Sequence, residues 1–138
     1  VFIRRLIVAV LTRPTDASVR SDLDQIQGVW MSVAGPREAR LLVAGVRFTI
    51  EFTGGDLYMG TFKLSPGQPG QIDMVIEEGP PEHVGRNSLG IYQLDGGVLR
   101  WCPGRPGTNR RPTAFPDVDD PRYLSLVFRR DRRSNRRS

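Results

Sequence analysis

From Gly28 onward the sequence repeats one pattern: short runs in which apolar and polar side chains alternate, separated by breaks rich in glycine, proline and aspartate. Arg47-Phe48-Thr49-Ile50-Glu51-Phe52 is the cleanest run. Phe48, Ile50 and Phe52 share one face; Arg47, Thr49 and Glu51 share the other. A period of two means a strand with one buried face. The run from Gln71 repeats it, with Ile72, Met74 and Ile76 turned inward. The pattern predicts strands over 29–34, 39–43, 46–52, 57–64, 71–77, 88–94, 98–102 and 123–130. Turn signals fall between them at Gly54-Gly55-Asp56, Pro66-Gly67-Gln68-Pro69-Gly70 and Asp95-Gly96-Gly97. The last joins two apolar runs by a tight glycine turn, the strongest hairpin signal in the chain.

Connections this short leave no room for helical crossovers, which excludes a parallel sheet. A sandwich or a closed barrel remains. Closure removes exposed strand edges, and roughly eight strands enclose an interior either filled by side chains or able to hold one small ligand. The expected fold is therefore all-β: a single antiparallel up-and-down barrel of about eight strands. A short helix precedes it over Ser21 to Gln27. Ser21 is its expected cap, Asp22 and Asp24 suit its positive end, Leu23 and Ile26 form its apolar side, and Gly28 ends it. The proline-rich segment 103–122 reads as a long ordered loop.

At 138 residues the chain fits one domain, and a domain of that size buries roughly two-thirds of its unfolded surface without a staple. The net charge of +5 is local. Residues 129–138 hold six arginines and one acid, Asp131, whereas 1–128 hold 14 basic and 14 acidic side chains. The division expected is a flexible or signal-like segment 1–20, a barrel domain 21–131 and an arginine-rich tail 132–138. Within the first segment, Leu6 to Leu11 is apolar behind Arg4 and Arg5. It is too short for a membrane span, which takes ~20 residues. A signal remnant and a loosely docked terminus both fit it, so cytoplasmic and envelope locations both stay open. The tail lacks interleaved aromatics for stacking bases, so nucleic acid is not an expected partner and a solvated tail is.

Few residues carry chemistry. A lone Cys102 and a lone His83 make neither a disulfide nor a conventional zinc site. His83 lies in a turn-rich stretch and reads as an exposed loop residue; Cys102 reads as a buried strand-end thiol. Glu77 and Glu78 are strand neighbours that point apart, so they do not converge for acid–base work. Asp73 is expected on the outer face, opposite Ile72 and Met74; pointing inward it would need Arg100 or Arg111 as a partner. No nucleophile, base and orienting group come together, so no enzyme, no metal and no cofactor is expected.

Several segments together resemble a family of uncharacterised lipocalin-like domains frequent in planctomycete bacteria. They are Gly28-x-Trp30, Gly60-Thr61-Phe62-Lys63-Leu64, Ile72-Asp73, Leu89 to Asp95, Leu99 to Cys102, and Arg111-Pro112-Thr113-x-Phe115. The resemblance covers about residues 20–131 and departs at Trp101, where the family tends to an aliphatic residue, and in the tail. It implies a calycin-type barrel and no particular activity. In lipocalins proper, an arginine of the last strand packs over the tryptophan of Gly-x-Trp; Arg130 is the matching position.

Two sets of residues follow. Trp30 and Arg130 are expected to close one end of the barrel, with Leu124, Leu126 and Phe128 on the same face as Arg130. Phe48, Ile50, Phe52, Met74, Tyr92 and Trp101 are the candidates for contact with a ligand. The leading function is a non-enzymatic barrel that binds a small, mostly apolar molecule. The alternative is a structural or protein-interaction module with a filled core and no ligand.

Overall fold

A computed structural model describes residues 16–117 and 119–131. It contains one helix, α1 (Asp16–Ile26), and eight strands: β1 (Gly28–Ala34), β2 (Ala39–Ala44), β3 (Arg47–Phe52), β4 (Leu57–Ser65), β5 (Gly70–Glu78), β6 (Asn87–Asp95), β7 (Val98–Cys102) and β8 (Leu126–Arg130). Each strand pairs antiparallel with the next, and β8 pairs antiparallel with β1. The sheet is a closed up-and-down barrel. The alternation that predicts the strands also fills the interior. Leu41 pairs with Ile50, Val43 with Phe48, Phe62 with Met74 and Leu64 with Ile72, and all eight are buried.

The two ends differ because the connections differ. Tight turns close one end: Gly45-Val46, 66–69 and Gly96-Gly97. α1 is tied to that end. The Gln27 side chain donates to Gly45 O (2.9 Å) and accepts from Gly45 N (2.7 Å), and Tyr92 Oη donates to Asp22 Oδ2 (2.5 Å). Tyr92 reaches the helix over its cross-strand partner Gly70. A Cβ on Gly70 would stand 2.5 Å from the Tyr92 ring, so only glycine lets the ring lie there.

Trp30 and Arg130 are cross-strand partners at the same end. The Arg130 guanidinium lies 4.4 Å from the Trp30 ring centroid and donates to Gln27 O (2.7 Å) and to Gln25 O. The Trp30 indole N–H donates to Ile26 O (2.9 Å), and the residue has no exposed surface. Two carbonyls of the last helical turn, Gln25 and Ile26, and that of Gln27 just past it thus gain donors that no intrahelical N–H supplies.

Two boundaries differ from expectation by more than one residue. α1 begins at Asp16, so residues 16–20 belong to the ordered body; Val19 extends the Leu23–Ile26 stripe by one turn. Ser21 is therefore inside the helix, where its hydroxyl accepts from Gln25 Nε2 (3.1 Å) instead of capping. β8 begins at Leu126 and not at 123. The Asp120 carboxylate accepts from Arg122 N (3.0 Å), and Tyr123 N donates to Asp120 O (3.2 Å), so the chain turns just before the strand. Leu124 is consequently outside β8, though it packs on the core. The signal-like reading of 1–11 and the tail 132–138 lie outside the described residues. Among the described residues no helix is long and apolar enough to cross a membrane.

Candidate functional site

The opposite end carries the connections 35–38, 53–56, 79–86 and 103–125, the last two the longest in the barrel. A cavity of about 960 Å³ opens between these loops. Small-molecule pockets run ~300–1,000 Å³, so the space admits a ligand of ordinary size. The closed half is different. A void there, between Ile26, Leu41, Phe62, Tyr92 and Leu99, is about 20 Å³, room for about one water. Phe48, Met74 and Trp101 border both spaces and form the floor between them.

Five of the six sequence-expected contact residues line the open cavity: Phe48, Ile50, Phe52, Met74 and Trp101. Tyr92 does not. It sits in the closed half, where its ring covers Gly70 and its hydroxyl holds Asp22. Alternation alone does not say which of Tyr92 and Trp101 points in; as cross-strand partners both do, and period carries no information about height along the barrel axis. Ile76 joins the walls, and Trp101 turns its ring toward Phe128 (6.3 Å between centroids). The Trp101 indole N–H has no hydrogen-bond partner among the described residues.

The rim contains residues that the sequence reading missed. His83 is not an exposed loop residue: it is half-buried and its ring stacks on Tyr58 at 5.8 Å and 23°. Its Nδ1 is 2.8 Å from Tyr58 Oη. Burial, helped by the nearby Asp56 and Glu82 charges, pushes the Tyr58 pKa up. The phenol therefore keeps its proton. Tyr58 meets Phe52 edge-on at 6.0 Å, and the Arg37 guanidinium covers the Phe52 ring at 4.2 Å while pairing with Asp56 (3.3 Å). Tyr58 was legible in principle, since it continues the inward series Gly60, Phe62 and Leu64 of β4.

The connection after β7 shapes the other side of the mouth. The chain leaving Cys102 runs against β6: a Cβ on Gly90 would stand 2.8 Å from Cys102 O, and Ser88 Oγ donates to Gly104 O (2.7 Å). Arg111 then anchors the segment. It pairs with Asp73 (2.5 Å) and donates to Gly90 O (2.8 Å) and Ile72 O (3.4 Å). Asp73 is on the outer face, and Arg111 reaches it there. Phe115 lies under the Arg100 guanidinium at 4.4 Å. Ile91 and Cys102 face outward by register yet are buried, because this segment runs over them. Burial pushes the Cys102 thiol pKa up, with Arg100 opposing. A protonated, covered thiol is unreactive.

The carboxylates Glu77 and Glu78 are both exposed, and Glu77 pairs with Arg47 (2.7 Å). Among the described residues no group of three or more His, Cys, Asp or Glu converges as a metal site would require. Comparison with family models, with curated proteins and with solved structures finds no match. The site has an apolar interior, a rim of aromatic and basic groups, and an opening to solvent. Such a place can desolvate an apolar body and hold a polar end.

Proposed function

We propose that this chain is a non-enzymatic barrel that takes a small, mostly apolar molecule into its open end. The observation that carries this reading is the contrast between the two halves. The void between Ile26, Leu41, Phe62 and Tyr92 at one end is about 20 Å³, whereas a pocket of about 960 Å³ opens at the other over a floor of Phe48, Met74 and Trp101. Each apolar group of a ligand removed from water there contributes about 25 cal/mol per Å². The Trp30–Arg130 pair supports reading the chain as a lipocalin-like domain. A filled-core interaction module draws support only from the closed half.

The test is a titration with an uncharged naphthylamine fluorophore. Saturable binding with a change in Trp101 emission is expected. Ile50→Trp, which puts a bulkier ring into the cavity wall, should weaken it; Thr49→Trp, on the outer face of the same strand, should not. Unsaturable binding, or equal binding to both variants, would contradict the proposal.

A further inference from the structure

The composition of the rim says what kind of polar end a ligand carries. The residues lining the cavity include Arg37, Arg105, Arg110, Arg111 and Arg122, and no aspartate or glutamate. Three of these arginines already face carboxylates: Arg37 with Asp56, Arg111 with Asp73 and Arg122 with Asp120. Arg105 and Arg110 have no ion pair and no side-chain hydrogen bond among the described residues.

Their backbone is held while their side chains are not. Thr108 donates to Arg105 O through both its N–H (3.2 Å) and its hydroxyl (2.8 Å), and Gly107 N donates to Asn87 O on β6 (2.9 Å). Arg110 O lies 2.5 Å from where a Cβ on Gly104 would stand, so the stretch that starts at Gly104 doubles back beside it. This brings Arg105 and Arg110 to the same side of the mouth on an anchored turn. Two guanidiniums on a fixed turn over an apolar cavity match a molecule with an apolar body and an anionic head.

Resting on the binding function proposed above, we infer that the ligand is an amphiphilic anion: its apolar body lies on Phe48, Met74 and Trp101, and its head is received by Arg105 and Arg110. Carboxylate and phosphate heads share the required chemistry, because the planar guanidinium fork donates two parallel hydrogen bonds to the oxygens of either. The site is open to water, so its selectivity weakens as salt screens the charges.

The experiment compares four probes of equal chain length by calorimetry at low salt, below their aggregation limits: dodecanoate, dodecyl phosphate, dodecanol and dodecyltrimethylammonium. At least one anion should bind about tenfold or more tighter than dodecanol, the effect expected of charge-assisted hydrogen bonds. The stronger of the two anions names the head. Arg105→Gln with Arg110→Gln should erase this preference and leave dodecanol affinity unchanged. Both residues are exposed and neither side chain has a partner among the described residues, so the melting temperature of the double variant should match the parent's. Dodecanol or the cation binding as tightly as both anions would overturn the anion inference and leave the cavity function standing. Failure of all four to bind would overturn both. An anion preference that survives the double substitution would overturn the assignment to Arg105 and Arg110.

Discussion

Arg130 lies over Trp30, its directly opposed partner across the β1–β8 seam, with 4.4 Å between guanidinium carbon and ring centroid. This is the contact at which the barrel closes on itself and on its helix. The same guanidinium serves the carbonyls of Gln25 and Gln27, so it joins the first strand, the last strand and α1 in one cluster. A double-mutant cycle on Trp30→Leu and Arg130→Met should give a coupling of about 1–2 kcal/mol in urea unfolding. Arg130→Lys should restore only part of the loss, since an ammonium neither stacks on the indole nor forks its hydrogen bonds. Zero coupling would separate the pair energetically.

The Tyr92–Asp22 bond predicts a pH dependence. Burial, reinforced by the hydrogen bond to the Asp22 carboxylate and by its charge, raises the Tyr92 pKa far above its ordinary value of 10.0. Below that pH both states hold the phenolic proton, and the contribution is constant. Above it the unfolded chain releases a proton that the folded chain keeps, so stability should fall as pH rises. Tyr92→Phe should flatten much of that slope, leaving the part due to Tyr58, whose pKa is also raised. At neutral pH it should cost about 1–3 kcal/mol, because it removes a hydrogen bond to a charged acceptor. Urea unfolding between neutral pH and pH ~11 measures both effects, the upper limit lying above the free tyrosine value. An unchanged slope in Tyr92→Phe would show that other groups carry it.

Much of the fold is legible in the sequence because strand alternation and burial are the same fact seen twice. Phe48, Ile50 and Phe52 show their face by period alone, and closure follows from the number and shortness of the runs. The helix start is not legible, since Ser21 has the chemistry of a cap and only packing of Val19 moves the boundary to Asp16. His83 is missed for a different reason. Its partner Tyr58 is 25 residues away, and no local pattern reports that pairing. Tyr92 and Trp101 face inward alike, yet height along the axis, which separates packed half from hollow half, depends on strand stagger. The rim arginines depend on the path of 103–117, a stretch with no periodicity to read.

Arg111 should hold that stretch in place. Arg111→Met removes donors to three groups on β5 and β6, while Asp73→Asn keeps an acceptor and removes only charge. The half-exposed ion pair itself is expected to contribute about 0.2–1 kcal/mol. Amide exchange over residues 103–117 should therefore accelerate in Arg111→Met and change little in Asp73→Asn. Equal acceleration in both would make the charge, and not the carbonyl contacts, the anchor.

Cys102 reports on the same segment. In the native protein at neutral pH it should resist a thiol-labelling reagent, because it is buried and its pKa is raised by burial. Labelling should become rapid in denaturant. Arg111→Met should speed native-state labelling by exposing the outer face of β7. Immediate labelling of the native parent would show that the connection does not cover this face.

Methyl NMR with an uncharged apolar probe tests the division of the barrel most directly. The methyl signals of Ile50, Met74 and Ile76, at the hollow end, should shift in a saturable, concerted way. Those of Ile26, Leu41, Val43 and Leu99, in the packed half, should move far less. Shifts confined to outward methyls such as Val33, Leu42 and Val75, or no shifts at saturating probe, would contradict an interior binding site.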